Sequence, residues 1–175
     1  FSLDDLVESE RLQVGPIVVL AGLQDPGNLG TILRSSEAFG SAGVVLGEGT
    51  VSPFNSKVVR ASAGSVFRLP VVHGQVHGRG KSAATKLEEV SEKLRAQGVR
   101  LIATSSHKGT PLDQSDLKGK TAIFFGNEGS GLPRDVMAKT DEFISIPHTE
   151  QVESLNAGVA ASIVLYEAAR QRKSS

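Results

Sequence analysis

The chain has 175 residues, enough for one domain with a sizeable core and short for two. Its 19 basic and 19 acidic side chains cancel, so no overall positive field advertises a nucleic-acid partner, although a local patch would not register in that sum. Cysteine is absent, which excludes disulfides, thiolate nucleophiles and Cys-ligated zinc or iron–sulfur centres.

No apolar run approaches the length of a membrane span and no secretory leader pattern opens the chain, so a cytoplasmic protein is expected. The first residue is Phe1 rather than Met, and the natural chain is expected to begin upstream. Residues 1–13 read as a linker or domain-edge segment of mixed charge, and residues 14–175 as the domain proper. The first clear strand is Pro16 to Leu23, PIVVLAGL, whose continuous apolar character suits a parallel strand buried on both faces. In QDPGNLGTILRSSEAFG, Asp25 is placed to cap a helix with Pro26 at its first position. Leu29, Ile32, Leu33 and Phe39 form its apolar stripe, Asn28 and Arg34 stay polar, and Gly40 ends it. GVVLG, residues 43–47, is a second strand.

A small helix is predicted around Lys57 to Ala61 and a strand near Val66 to Val72. HGQVHGRGKS reads as a glycine-rich loop, and residues 84–97 as an amphipathic helix carrying Leu87, Val90 and Leu94. VRLIATS and TAIFFG are further strands, a short helix falls around Arg134 to Ala138, and FISIP is a strand halted by Pro147. From Ser154-Leu155-Asn156 a long helix is predicted. Its apolar face is read as Val159, Ile163, Tyr166 and Ala169, with Val164 and Leu165 alongside, and Arg170, Arg172 and Lys173 suit its negative end. The small residues Ala157, Gly158, Ala160, Ala161 and Ser162 would let another backbone come close.

Alternating strands and helices predict an α/β protein with a parallel sheet and helices on both faces. Ligands bind such sheets beyond the carboxyl ends of the strands. Three strand-end loops are unusually rich in polar residues, the first two with glycines as well: 24–34, 126–132 and 147–156. GNEGSG, residues 126–131, has neither the phosphate-loop nor the dinucleotide spacing and lacks the lysine of the former, so a nucleoside triphosphate is a poor candidate. Glu128 would be wrong in a phosphate cradle and apt beside a cationic ligand, while a tight turn with a solvated glutamate is the plainer alternative. His73, His77, His107 and His148 lack metal-ligand spacing, and no histidine is placed to serve Ser154 as a base.

NLGTILRSSEAFG, FFGNEGSGLP and ISIP…VESLNAGVAASIVLYEA resemble, in order and spacing, the three motifs of the SpoU (TrmH) family of SPOUT methyltransferases, and SPFNSKVVRASAGSVFRLPV between the first two extends the likeness. It runs from about Val14 to Arg170, and it implies a further N-terminal RNA-binding domain in the natural chain. The resemblance implies 2′-O-ribose methylation of ribosomal or transfer RNA with S-adenosylmethionine as donor, no metal, a C-terminal deep trefoil knot and a homodimer with the active site at the subunit interface. It further implies a cofactor seat around Thr104, Gly126, Asn127, Gly129, Ile146, Pro147, Ser154 and Leu155, and a catalytic set of Asn28, Arg34, Glu128, Ser154 and Asn156. Arg34 would come from the partner subunit and meet the RNA together with Lys57, Arg60 and Arg68; Arg79 and Lys81 are further candidates for phosphate contact. The sequence departs from the family pattern at His148, Glu150 and Gly158, which puts the shape of the loop before the last helix and cofactor affinity in question. The alternatives weighed are a knotted RNA-binding module without turnover and a different nucleotide-using α/β enzyme.

Overall fold

The computed structural model describes residues 1–77, 81–83 and 85–174. The elements run α1 (Leu3–Glu8), α2 (Arg11–Val14), β1 (Ile17–Leu20), α3 (Pro26–Ala38), β2 (Gly43–Leu46), α4 (Ser56–Ala61), β3 (Val71–His73), β4 (Gln75–His77), β5 (Lys81–Ala83), α5 (Leu87–Ala96), β6 (Arg100–Thr104), β7 (Thr110–Pro111), β8 (Thr121–Phe125), α6 (Arg134–Lys139), β9 (Glu142–Ser145) and α7 (Ala157–Lys173). Seven strands form one sheet in the order β3-β2-β1-β8-β6-β9-β7, and every pairing in it is parallel. The predicted parallel α/β architecture is what forms.

The strands alternate between two cores because successive side chains leave opposite faces of a strand. Val18 and Leu20, Val44 and Leu46, and Ile123 and Phe125 point to one face, where Leu29, Leu33, Val164 and Leu165 meet them. Ile17, Val19, Val45, Ala122 and Phe124 point to the other, with Leu87, Val90 and Leu94 of α5 and Val136 of α6. The first residues are part of that second core, since Leu3, Leu6 and Leu12 are buried in it. Ser2 opens α1 with a reciprocal cap: its hydroxyl accepts from Asp5 N and the Asp5 carboxylate from Ser2 N.

Three local expectations are corrected. Residues 65–67 form a 3-10 turn and the strand starts only at Val71. Ala63 and Gly64 take positive φ just before it, which reverses the chain, and Pro70 has no N–H to give a ladder. Within the predicted 73–82 loop, β4 and β5 pair antiparallel as a ribbon; three residues containing glycine between two short runs are a hairpin signal. Residues 78–80, and with them Arg79, lie outside the described residues.

The third correction concerns α7. Val159, Ile163 and Tyr166 are exposed, at 48%, 39% and 57%, while Gly158, Ala161, Val164, Leu165 and Ala168 are the buried face. Of the predicted apolar face, Val159, Ile163 and Tyr166 thus point outward, while Val164 and Leu165 join the small residues on the buried side, where α7 packs directly on α3. A Cβ on Gly158 would stand 3.1 Å from Thr31 Cγ2 and 3.2 Å from Asn28 Oδ1, and Ser35 Oγ and Ser162 Oγ are 2.6 Å apart.

Candidate active site

Three parallel neighbours, β8, β6 and β9, end at one level, with Ala103 registered to Phe124 and Thr104 to Ile144. The loops that follow them enclose a cleft of about 770 Å³ at the carboxyl edge of the sheet. Its apolar side includes Leu132, Ile146, Leu155 and Val164, and its polar rim Thr104, Lys108 and Glu128. Among the expected cofactor residues, Thr104, Gly126, Asn127, Gly129, Ile146, Ser154 and Leu155 line it. Pro147 lines an adjoining hollow of about 500 Å³ instead, with His148, Glu150 and Glu153.

Each loop is held by its own chemistry. Gly126 leaves β8 so close to Gly131 and Leu132 that a Cβ would lie 2.6 Å from the Gly131 carbonyl carbon, and Asn127 and Gly131 exchange both backbone hydrogen bonds. The Asn127 amide donates to Gly22 O at 2.7 Å, and its oxygen accepts from Gly129 N at 2.8 Å and Ser130 N at 3.3 Å. The Asn127 side chain therefore ties its loop to the end of β1, while its backbone closes the loop on Gly131. Thr104 Oγ1 donates to Phe124 O, which joins the ends of β6 and β8. Beyond β9, His148 Nδ1 lies 2.8 Å from Ile146 O, a contact an apolar residue could not make; with a carbonyl as partner the ring nitrogen must be the donor.

The expected catalytic residues divide into two groups. Asn28 Nδ2 donates to Glu128 Oε1 at 3.0 Å, and the same oxygen accepts from Ala157 N at 3.4 Å. Asn156 caps α7, its side chain accepting from Val159 N, so the helix begins at Ala157 rather than at Ser154. Asn28, Glu128 and Asn156 thus meet where the first turns of α3 and α7 approach. Asp25 secures the α3 end by accepting from Asn28 N at 2.7 Å.

Arg34 does not join them. It is exposed on α3, one and two-thirds turns beyond Asn28 and so on a different face, and among the described residues it has no hydrogen bond or ion pair. Of the expected RNA contacts, Lys57 and Arg60 are exposed on α4. Arg68 is engaged: its Nε and Nη2 donate to Glu37 at 2.6 and 2.9 Å. That pair, with the Ser65 hydroxyl as second donor, holds the Glu37 carboxyl down to about 2. No group of three or more His, Asp or Glu among the described residues is placed to hold a metal ion, and none of the described helices is long and apolar enough to cross a membrane.

Sequence reasoning overlooked the loop after β6. Ser105, Lys108 and Gly109 line the cleft beside Thr104. The strand-end rule that singled out the other loops applies equally here, but 105–109 carries no glycine cluster to draw attention.

A parallel α/β sheet whose strand-end loops enclose an apolar cleft with a carboxylate at its rim defines a ligand-binding α/β domain. The chain belongs to the SpoU rRNA methylase family, whose sequence model matches residues 15–166. It is 37% identical over 150 residues to the 23S rRNA (guanosine(2553)-2′-O)-methyltransferase RlmP of Bacillus subtilis, covering 86% of this chain and 56% of that protein. To an uncharacterised tRNA/rRNA methyltransferase of Synechocystis it is 41% identical over 155 residues, 89% of this chain and 53% of the relative. The chain thus spans about half the length of these curated relatives. Among solved structures, the SpoU methyltransferase AviRb of Streptomyces viridochromogenes in complex with AdoMet superposes with a TM-score of 0.84 at 30% identity, over 98% of this chain and 65% of that one. An AdoMet-bound rRNA methyltransferase of Sinorhizobium meliloti gives 0.81 at 33% identity, over 94% and 59%.

Proposed function

We propose that this domain transfers a methyl group from S-adenosylmethionine to the 2′-oxygen of a ribose in ribosomal or transfer RNA. The observation that carries this reading is the Asn28–Glu128–Ala157 junction at the rim of a cleft that suits the donor. The apolar wall of Ile146, Leu155 and Val164 fits an adenine ring, strand-end amides from Gly126 onward fit its edge, and Glu128 offers the only carboxylate of the cleft lining to a cationic sulfonium. Two proteins of the same fold, the Sinorhizobium meliloti rRNA methyltransferase and the SpoU methyltransferase AviRb, bind AdoMet in their solved structures.

When bound, S-adenosylmethionine would supply an electrophilic methyl group for in-line displacement by the ribose 2′-oxygen, with S-adenosylhomocysteine as the leaving group and the hydroxyl proton released to solvent. What remains for the protein is alignment. Glu128 orients the Asn28 amide toward the reacting edge, and Asn156, fixed as the cap of α7, holds the helix end against it. Ser154 stands two residues earlier on the same loop, where its hydroxyl can reach the substrate. Arg34 remains a guanidinium throughout and serves by contacting phosphate and the developing negative charge on oxygen.

The free face of α7 supports a homodimer. Val159, Ile163 and Tyr166 form an exposed apolar stripe beside the α3 helix that carries Arg34. Two copies meeting there would cover the stripe and bring each Arg34 toward the partner's cleft. Contacts of the last helix with distant chain support a threaded C-terminal stretch, the trefoil knot: Gln171 Nε2 donates to Ser115 O and its oxygen accepts from Leu117 N. The cytoplasm, where the RNA resides, is the compartment this function implies.

The test has two arms. Calorimetric titration with S-adenosylmethionine should give saturable binding of one donor per subunit. Incubation of the full-length protein with ribosomal or transfer RNA should yield a 2′-O-methylated nucleotide by mass spectrometry of the digest. Binding without transfer to any RNA would favour the non-catalytic RNA-binding module; absence of binding by a folded dimer would remove the methyltransferase reading.

A further inference from the structure

Lys108 is the only lysine or arginine among the residues lining the cleft, as Glu128 is the only carboxylate. They lie in the loops after adjacent parallel strands, four residues beyond Thr104 at the end of β6 and three beyond Phe125 at the end of β8, so opposite charges face one space from neighbouring loops. Lys108 is exposed and makes no side-chain hydrogen bond or ion pair among the described residues. Its backbone is nevertheless fixed. Ser105 N donates to Ile144 O at 2.9 Å, and Ser105 Oγ accepts from Lys108 N at 3.2 Å. Gly109, at φ +103°, is packed so tightly that any Cβ would collide with the Phe143 carbonyl. A loop tied at both ends thus presents a flexible ammonium to the cleft.

An amino-acid end carries a carboxylate, which Glu128, itself negative, cannot bind. We propose that Lys108 binds the carboxylate of the methionine moiety of S-adenosylmethionine, making the 105–109 loop the sensor of the donor's amino-acid end. This rests on the donor seat proposed above. A charge-assisted contact from a mobile lysine at a solvated rim acts as a point charge, not as a rigid fork, so an arginine in its place should retain most of the effect.

The experiment compares two ligands that share the adenosine and thioether: S-adenosylhomocysteine, which keeps the amino-acid end, and 5′-methylthioadenosine, which lacks it. Wild type, Lys108→Gln and Lys108→Arg of the full-length protein are titrated with each by calorimetry. Loss of one such contact at the rim is expected to weaken S-adenosylhomocysteine about tenfold in Lys108→Gln, with Lys108→Arg close to wild type and methylthioadenosine unchanged in all three. An unchanged S-adenosylhomocysteine affinity in Lys108→Gln overturns the assignment while leaving the donor seat intact, as does an equal loss for both ligands, which would mean that the loop had been distorted. If wild type binds neither ligand, the donor seat itself is wrong and the Lys108 assignment falls with it.

Discussion

Asn28 and Glu128 stand a hundred residues apart in sequence and join through a 3.0 Å hydrogen bond from the Asn28 amide to the Glu128 carboxylate. The same carboxylate oxygen reaches the first amide of α7, where a negative charge also suits the positive end of the helix. One side chain therefore couples the first, second and last motif loops. Glu128→Gln keeps the shape and can still accept from Asn28 but loses the charge. Transfer in single-turnover assays should fall by roughly 10²-fold, the usual consequence of losing one preorganised group, while S-adenosylhomocysteine binding should change by less than the transfer rate does.

Arg34 tests the division between donor seat and chemistry. It is exposed and unpaired among the described residues, so Arg34→Ala should leave thermal stability within about 0.5 kcal/mol of wild type. Transfer should disappear and donor binding persist. Full turnover on the cognate RNA would refute its assignment.

Asn127 gives the opposite pattern. Its side chain makes three hydrogen bonds that tie the 126–131 loop to Gly22. Asn127→Ala leaves the partly buried Gly22 carbonyl without its donor and should cost about 1–3 kcal/mol in denaturant melts. Donor affinity should drop in parallel, because the loop that presents Gly126 and Glu128 is released. A stable variant with unaltered donor affinity would show that the loop holds without this tie.

The two faces of α7 should respond differently to substitution. Ile163→Glu places a charge on the exposed stripe and should convert a dimer to a folded monomer in sedimentation velocity, with transfer lost. Leu165→Ala removes a buried side chain and should destabilise the fold by about 2–5 kcal/mol. A dimer unaffected by Ile163→Glu would move the subunit interface elsewhere.

Glu37 predicts a pH signature. Its carboxyl is held down to about 2 by the Arg68 guanidinium first and the Ser65 hydroxyl second, against an ordinary carboxylate value of about 4.3 in the unfolded chain. A depressed carboxyl stabilises the fold above the unfolded value and loses that contribution as pH falls toward the folded one. Between pH 4.5 and about 2 the melting temperature of wild type should therefore fall more steeply than that of Glu37→Gln. Parallel curves would mean that solvent screens the pair.

Much of the architecture was legible along the chain. PIVVLAGL and TAIFFG announce strands buried on both faces, Asp25-Pro26 announces the start of α3, and glycine clusters mark two of the three strand-end loops. These signals are local: apolar runs, caps and turn residues act within a few positions of themselves. The motif residues could be named from their order and spacing, but not their partners. Nothing local shows that the Asn127 side chain turns to Gly22, that Arg68 is claimed by Glu37, or that Lys108 shares a cleft with Glu128.

The clearest division lies in α7. Its sequence by itself determined a long helix with two apolar stripes, one of small residues and one of large. Periodicity measures how apolar each face is and is silent about which neighbour covers it. By size, Val159, Ile163 and Tyr166 were the natural choice for the core. Only the tertiary structure turned them outward, because α7 lies against α3 on its other side, so near at Gly158 that a Cβ would press on Thr31 and Asn28. The composition of the chain and its apolar pattern set the sheet and its two cores; the approach of α3 and α7 decided which residues were left for a partner, and brought Asn28, Glu128 and Asn156 together.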